Sequence, residues 1–171
     1  MRALPSRKLD KRITRVWRLS ATINMLFWSL LVLFPMGIAL LAVNSSGSLD
    51  GGGLLALTIT TVALALLAVV FFVVFVVIVP KIRWIQWSFE VYDQEIDIHK
   101  GIFWKKRIII PLIRVQNVDT RQGPIMRANG LASFTVSTAA GEHVIPGLLV
   151  EEADALRDHV AILARIAQED V

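Results

Sequence analysis

From Leu54 to Val79 the chain reads LLALTITTVALALLAVVFFVVFVVIV, 26 residues without a charged side chain. In water its many valines and isoleucines would favour strand. In lipid a lone strand leaves its amides and carbonyls unpaired, so helix is the state that satisfies the backbone. At about 1.5 Å per residue the run exceeds a hydrocarbon core of roughly 30 Å, and it can span with some tilt. Its polar members, Thr58, Thr60 and Thr61, can each return a hydroxyl to a carbonyl one turn earlier.

A second uncharged run, Ala21 to Val43, covers 23 residues and carries Asn24, Ser29, Pro35 and Gly37. Pro35 removes one amide donor, which predicts a kink near Leu31 to Phe34. Asn24 has two options, a hydrogen bond to the other helix or hydration at headgroup depth, and hydration is expected. The basic start and Ala42 near the end of the run also fit a cleaved leader. The run is about twice the length of a leader's apolar core, so a retained helix is expected. A chain with 55% hydrophobic and 19% charged residues agrees with a membrane protein. It has no cysteine, which excludes disulfides, thiolate metal sites and cysteine nucleophiles.

Net charge is +4 and unevenly placed. Arg2, Arg7, Lys8, Lys11, Arg12, Arg15 and Arg18 precede the first run, the connecting segment 44–53 (NSSGSLDGGG) holds only Asp50, and Lys81 and Arg83 follow the second run. The positive-inside rule then predicts both termini in the cytoplasm, the loop outside, and a multi-pass protein of the cell membrane. Arg12, Arg15, Arg18, Lys81 and Arg83 are candidates for contact with anionic headgroups, each worth about 1 kcal/mol near the surface. Their position against apolar helices argues for lipid and against nucleic acid. Trp17, Trp28, Trp84 and Trp87 suit interfacial anchors, although Trp87 equally suits the next domain.

Three segments are thus expected: 1–20 basic and cytoplasmic, 21–79 a transmembrane hairpin, and 80–171 a cytoplasmic domain. In the last, Ile85, Trp87, Phe89 and Val91 alternate with polar residues as in a strand, Ile96 and Ile98 continue a second, and Ile102 to Ile110 form a third beyond a Lys100-Gly101 turn. A further strand holds Ile113, Val115 and Val118. Ile125 to Asn129 predicts one helical turn stopped at Gly130, and Leu131 to Thr138 pairs with Glu142 to Ile145 around Ala139-Ala140-Gly141. Ala153, Leu156, Val160, Leu163 and Ala167 mark a closing helix over Glu151 to Ala167, with acids in its first turn and Arg165 in its last. The class is α+β, with about seven antiparallel strands.

The order of IIIPLIRVQNV, QGPIMRANGLASFTVSTAAG and IPGL behind two apolar helices resembles the bacterial membrane-anchored pleckstrin-homology (PH) family of the YdbS type. The resemblance covers nearly the whole chain. It implies a PH-like split barrel capped by the terminal helix, and a membrane complex with a larger sibling carrying several such domains; it carries over no catalytic residue and no cofactor.

Phosphoinositide-binding PH modules place cations in the first strand–strand loop. Here that loop, Val91 to Glu95, is acidic and would repel phosphate. Lys105, Lys106 and Arg107, with Lys100 and Trp104, form a separate cluster that reads either as a headgroup contact or as a lysine-protected edge strand. Arg121, Ile125, Met126 and Arg127 form a candidate partner-docking loop. His99, His143 and His159 lie apart without acidic or cysteine ligands at metal spacing. Alternation puts Glu90, Asp93, Glu95 and Asp97 on the solvent face. The reading is a non-catalytic scaffold or binding module, with an accessory subunit of a transport or export system, or a lipid-headgroup-binding protein, as alternatives. Neither apolar run carries the intramembrane ionisable residue that marks an ion or substrate path. Small residues such as Ala63, Ala65 and Ala68 leave homo-oligomers open.

Overall fold

The computed structural model describes residues 5–47 and 50–169. Two compact units make up the chain: 1–17 together with 80–171, and 18–79.

The second unit holds most of α1 (Ile13–Ser46), which continues without interruption through Pro35, and α2 (Gly51–Phe72), which passes through a π-helical stretch, Val73–Ile78, into α3 (Val79–Gln86) of the first unit. Both helices are long and apolar enough to cross a membrane. The start of α2 is fixed by Asp50, the loop's lone acid, whose carboxylate accepts from the Gly53 amide at 2.9 Å. Thr58, Thr60 and Thr61 donate to the carbonyls of Leu54, Ala56 and Leu57 at 2.8–2.9 Å, so no hydroxyl faces the apolar surroundings unpaired. Asn24 sits on the wall of an apolar cleft with Trp28, Leu64 and Ala68.

Among the described residues the other unit holds six strands, where the sequence reading expects about seven. β1 (Ser88–Val91), β2 (Glu95–Lys100) and β3 (Lys106–Pro111) form one antiparallel sheet. A 3-10 turn, Leu112–Arg114, leads to β4 (Val115–Arg121), which joins β5 (Leu131–Thr138) and β6 (Gly141–Leu149) in a second sheet. The short α4 (Pro124–Ala128) precedes Gly130, whose φ of +66° ends the turn as expected. The terminal helix, α5 (Val150–Glu169), buries Ala153, Leu156, Val160 and Ala164 on the predicted face. It runs past Arg165, which therefore is not in the last turn.

Two boundaries differ from the sequence reading. Ile85 and Gln86 complete α3, because the helix leaving the apolar run is not stopped by Pro80 and continues until Trp87 turns into the core. The basic N-terminal segment also belongs to the folded domain. Leu9, Ile13 and Val16 are buried in one cluster with Trp87, Phe89, Phe134 and Ile145. Alternating cations hid this stripe, since a basic stretch before a transmembrane helix reads as a topology signal alone.

The segment is fastened by backbone as well as by side chains. The Asp10 amide donates to the Gly147 carbonyl at 2.9 Å, the Phe89 amide to the Arg7 carbonyl at 3.0 Å, and the Trp84 indole to the Leu9 carbonyl at 2.8 Å. Gly147 sits at φ +69°, and a Cβ there would lie 2.5 Å from the Ile13 Cβ, so only glycine admits this approach.

Ile13→Ala in the full-length protein is expected to destabilise the domain by about 2–5 kcal/mol, and Gly147→Ala to destabilise it as well. Ile162→Ala, on the exposed face of α5, should stay within about 0.5 kcal/mol. Denaturant unfolding in mild detergent distinguishes these; equal effects of Ile13→Ala and Ile162→Ala would remove the N-terminal segment from the core.

Candidate functional site

The β2–β3 loop carries the most exposed large apolar side chains of the domain. The sequence reading begins a strand at Ile102, but pairing begins only at Lys106, which leaves 101–105 as a loop. Gly101, at φ +127°, closes against the Trp104 carbonyl so tightly that any Cβ would overlap it. The turn therefore expels Phe103 and Trp104, each 87% exposed, with rings edge-on at 6.5 Å. Leaving a side chain of this size in water forgoes about 1.5–3 kcal/mol of burial.

Cations surround this pair. Lys105 and Lys106 are exposed, and Lys100 Nζ lies 5.8 Å from the Trp87 ring centre. Burial, then repulsion from Lys106 and Arg83, holds the Lys100 ammonium below its ordinary range. Arg83 itself stacks on the Trp17 ring at 4.3 Å. His143 in β6 is lowered from the ordinary 6.5 by burial first, then by Lys100 and Lys106.

Arg107 is engaged elsewhere. Its Nε and Nη2 donate to the Asp97 carboxylate at 3.0 and 2.6 Å. Asp97 lies on the outer sheet face that alternation predicts, yet it is only 1% exposed because Arg107 covers it. Arg107 is thus removed from the cations free to meet a headgroup. Of the other predicted acids, Glu90 accepts from the Ser6 amide and hydroxyl, both at 2.7 Å, and these bonds hold its carboxyl below the usual range.

A groove of about 510 Å³ opens beside β3, lined by Ile109 to Pro111, Ile113, Thr138 to Ala140 and His143. β3 pairs with β2 alone, so its other edge has no strand partner among the described residues. Ile109 and Ile113 are 48% and 43% exposed. These two and Phe103 escaped the sequence reading, because III and IFW in an apparent strand look like core.

The expected docking loop is built differently from its sequence appearance. Arg121 donates to Glu142 and Asp119 at 3.0–3.1 Å, while Ile125 and Met126 pack partly buried against the core, so only Arg127 of the four stands free at the surface. Of the helix-flanking cations, Arg12, Arg15, Arg18 and Lys81 are exposed; Arg2 lies outside the described residues. His99 and His159 occupy β2 and the exposed face of α5, well apart from His143 in sequence and element.

Comparison with known proteins identifies this architecture. The family model described as bacterial PH domain matches residues 30–163, most of the chain. The transmembrane protein YdbS of Bacillus subtilis (strain 168) is 38% identical over the full length of both chains. The chain belongs to the bacterial PH domain family and is a transmembrane protein. The transmembrane protein YdbT of the same organism is 29% identical over 83 residues, which cover 46% of this chain and 17% of YdbT. No solved structure matches the chain.

Two outcomes follow from the charges. Arg107→Ala strands the buried Asp97 carboxylate and should lower the melting temperature well beyond Lys105→Ala or Lys106→Ala, which thermal unfolding in detergent compares. Because His143 titrates lower when folded than the ordinary 6.5, the unfolded chain binds the extra proton first as pH falls. Stability should therefore fall as pH drops from about 6.5 towards the folded value, level off below it, and lose this limb in His143→Gln.

Proposed function

We propose that the chain is a non-catalytic, membrane-anchored binding module whose sheets pack as a PH-like split barrel and whose β3 groove seats a related, longer membrane protein of the same family. The observation that carries this reading is the groove itself: an unpaired strand edge lies beside exposed Ile109 and Ile113, offering both ladder hydrogen bonds and apolar burial to an added strand. The occurrence of YdbS and the longer YdbT in one organism supports a pair of related proteins as the working unit.

The charge asymmetry supports a cytoplasmic location for both termini and for the domain, under the cell membrane. In that orientation Arg12, Arg15, Arg18, Lys81 and Arg83 rest at the anionic inner surface and hold the domain close to it. The helices then act as an anchor that concentrates the groove in two dimensions, where a modest contact with a co-anchored partner suffices.

Co-expression with YdbT of Bacillus subtilis, the longer relative, tests the reading. The wild-type chain is expected to retain that relative in fixed ratio through purification in mild detergent, and Ile109→Asp with Ile113→Asp to lose it while unfolding at the wild-type temperature. Retention by the double variant, or a wild-type chain that elutes alone or only with copies of itself, would overturn it.

A further inference from the structure

The exposed Phe103–Trp104 pair has no role in the β3 groove, and its surroundings point to a specific occupant. An edge protected against aggregation explains lysines, but such protection works by removing exposed apolar surface, and here two aromatic rings stand side by side at 87% exposure. Asp97, a carboxylate of this hairpin, is already paired with Arg107 and does not neutralise the lysines. Lys100 is crowded by Lys106 and Arg83 rather than by a carboxylate. Apolar rings ringed by uncompensated cations are complementary to one surface in particular, the interface of an anionic bilayer, where rings sit at headgroup depth and ammonium groups meet phosphates.

Location within the domain agrees. Lys100 lies on Trp87 and is repelled by Arg83, and Arg83 stacks on Trp17. Trp17 and Arg83 are the residues beside which the chain passes into its two apolar runs. Lys100, at the base of the loop, therefore belongs to the same cluster as the residues that flank the two apolar runs in the chain.

We propose that the β2–β3 loop is a membrane-inserting element selective for anionic bilayers, with Phe103 and Trp104 entering the interface and Lys100, Lys105 and Lys106 on lipid phosphates. It supplies a third point of attachment in addition to the two helices, and three points fix the orientation of a rigid body on a plane. The inference does not depend on the identity of the protein partner.

The absence of cysteine makes the test direct, since one introduced thiol is the sole labelling site. Full-length Phe103→Cys, labelled with an environment-sensitive nitrobenzoxadiazole dye, is reconstituted into phosphatidylcholine vesicles with and without phosphatidylglycerol. Asp93→Cys, in the loop at the opposite end of β2, serves as reference. Expected is blue-shifted emission at 103 in the anionic vesicles, quenched by lipids carrying a spin label near the headgroup, with water-like emission at 93. Lys105→Gln with Lys106→Gln should lower the inserted-to-free ratio about 30-fold at low salt, corresponding to about 1 kcal/mol per cation. Emission at 103 that matches position 93 in both vesicles would overturn insertion. Insertion unaffected by phosphatidylglycerol and by the lysine substitutions would overturn the selectivity for anionic lipid.

Discussion

Ile13 against Gly147 is the contact on which the domain depends. A side chain that precedes the first transmembrane helix fills a space that exists only because residue 147 lacks a Cβ and holds a positive φ. Around this contact the Asp10 amide, the Arg7 and Leu9 carbonyls and the Arg7 guanidinium tie the N-terminal segment to β1, β6, α3 and the first turn of α5. The core thus draws on two stretches of chain separated by the membrane-spanning unit. Ile13 is also the first residue of α1, so the start of that helix contributes to the core.

The same economy explains the charged residues. Arg7 is simultaneously a partner of Glu152 at 2.6 Å and a lid over the Phe89 ring. Lys8 donates to the Ile85 carbonyl at the end of α3, satisfying one of the acceptors a helix terminus leaves open. Arg107 turns what would be a solvated carboxylate into a buried ion pair. Cations that find such partners stabilise the domain. Lys100, Lys105 and Lys106, without a carboxylate partner, gather where the exposed aromatics are, whereas Arg127 stands free on a separate element.

How much of this was legible in the sequence follows the period of each pattern. The two apolar runs, the acidic β1–β2 loop, the α4 turn ending at Gly130 and the buried face of α5 were readable, because local spacing determines them. The N-terminal contribution to the core was not, since Leu9, Ile13 and Val16 look like any residues interleaved with cations until Gly147 is brought against them. The β3 boundary failed for the opposite reason: Ile102 to Ile110 is apolar enough to pass for one strand, and only the backbone at Gly101 reveals that residues 102–105 are a loop. Asp97 was expected to face solvent but is buried, because Arg107 covers it across the ladder. The fold class was therefore local information, whereas the surfaces that carry function are set by pairings between distant segments.

A core assembled from residues on both sides of a helical hairpin constrains the order of events in folding. Residues 5–17 precede the helical hairpin in the chain, whereas their partners in β1, β6 and α5 follow it. Until those partners are present Leu9, Ile13 and Val16 have nothing to bury against. The cations and the apolar stripe share one short segment without interfering, because Lys11, Arg12 and Arg15 are exposed while Ile13 and Val16 are buried.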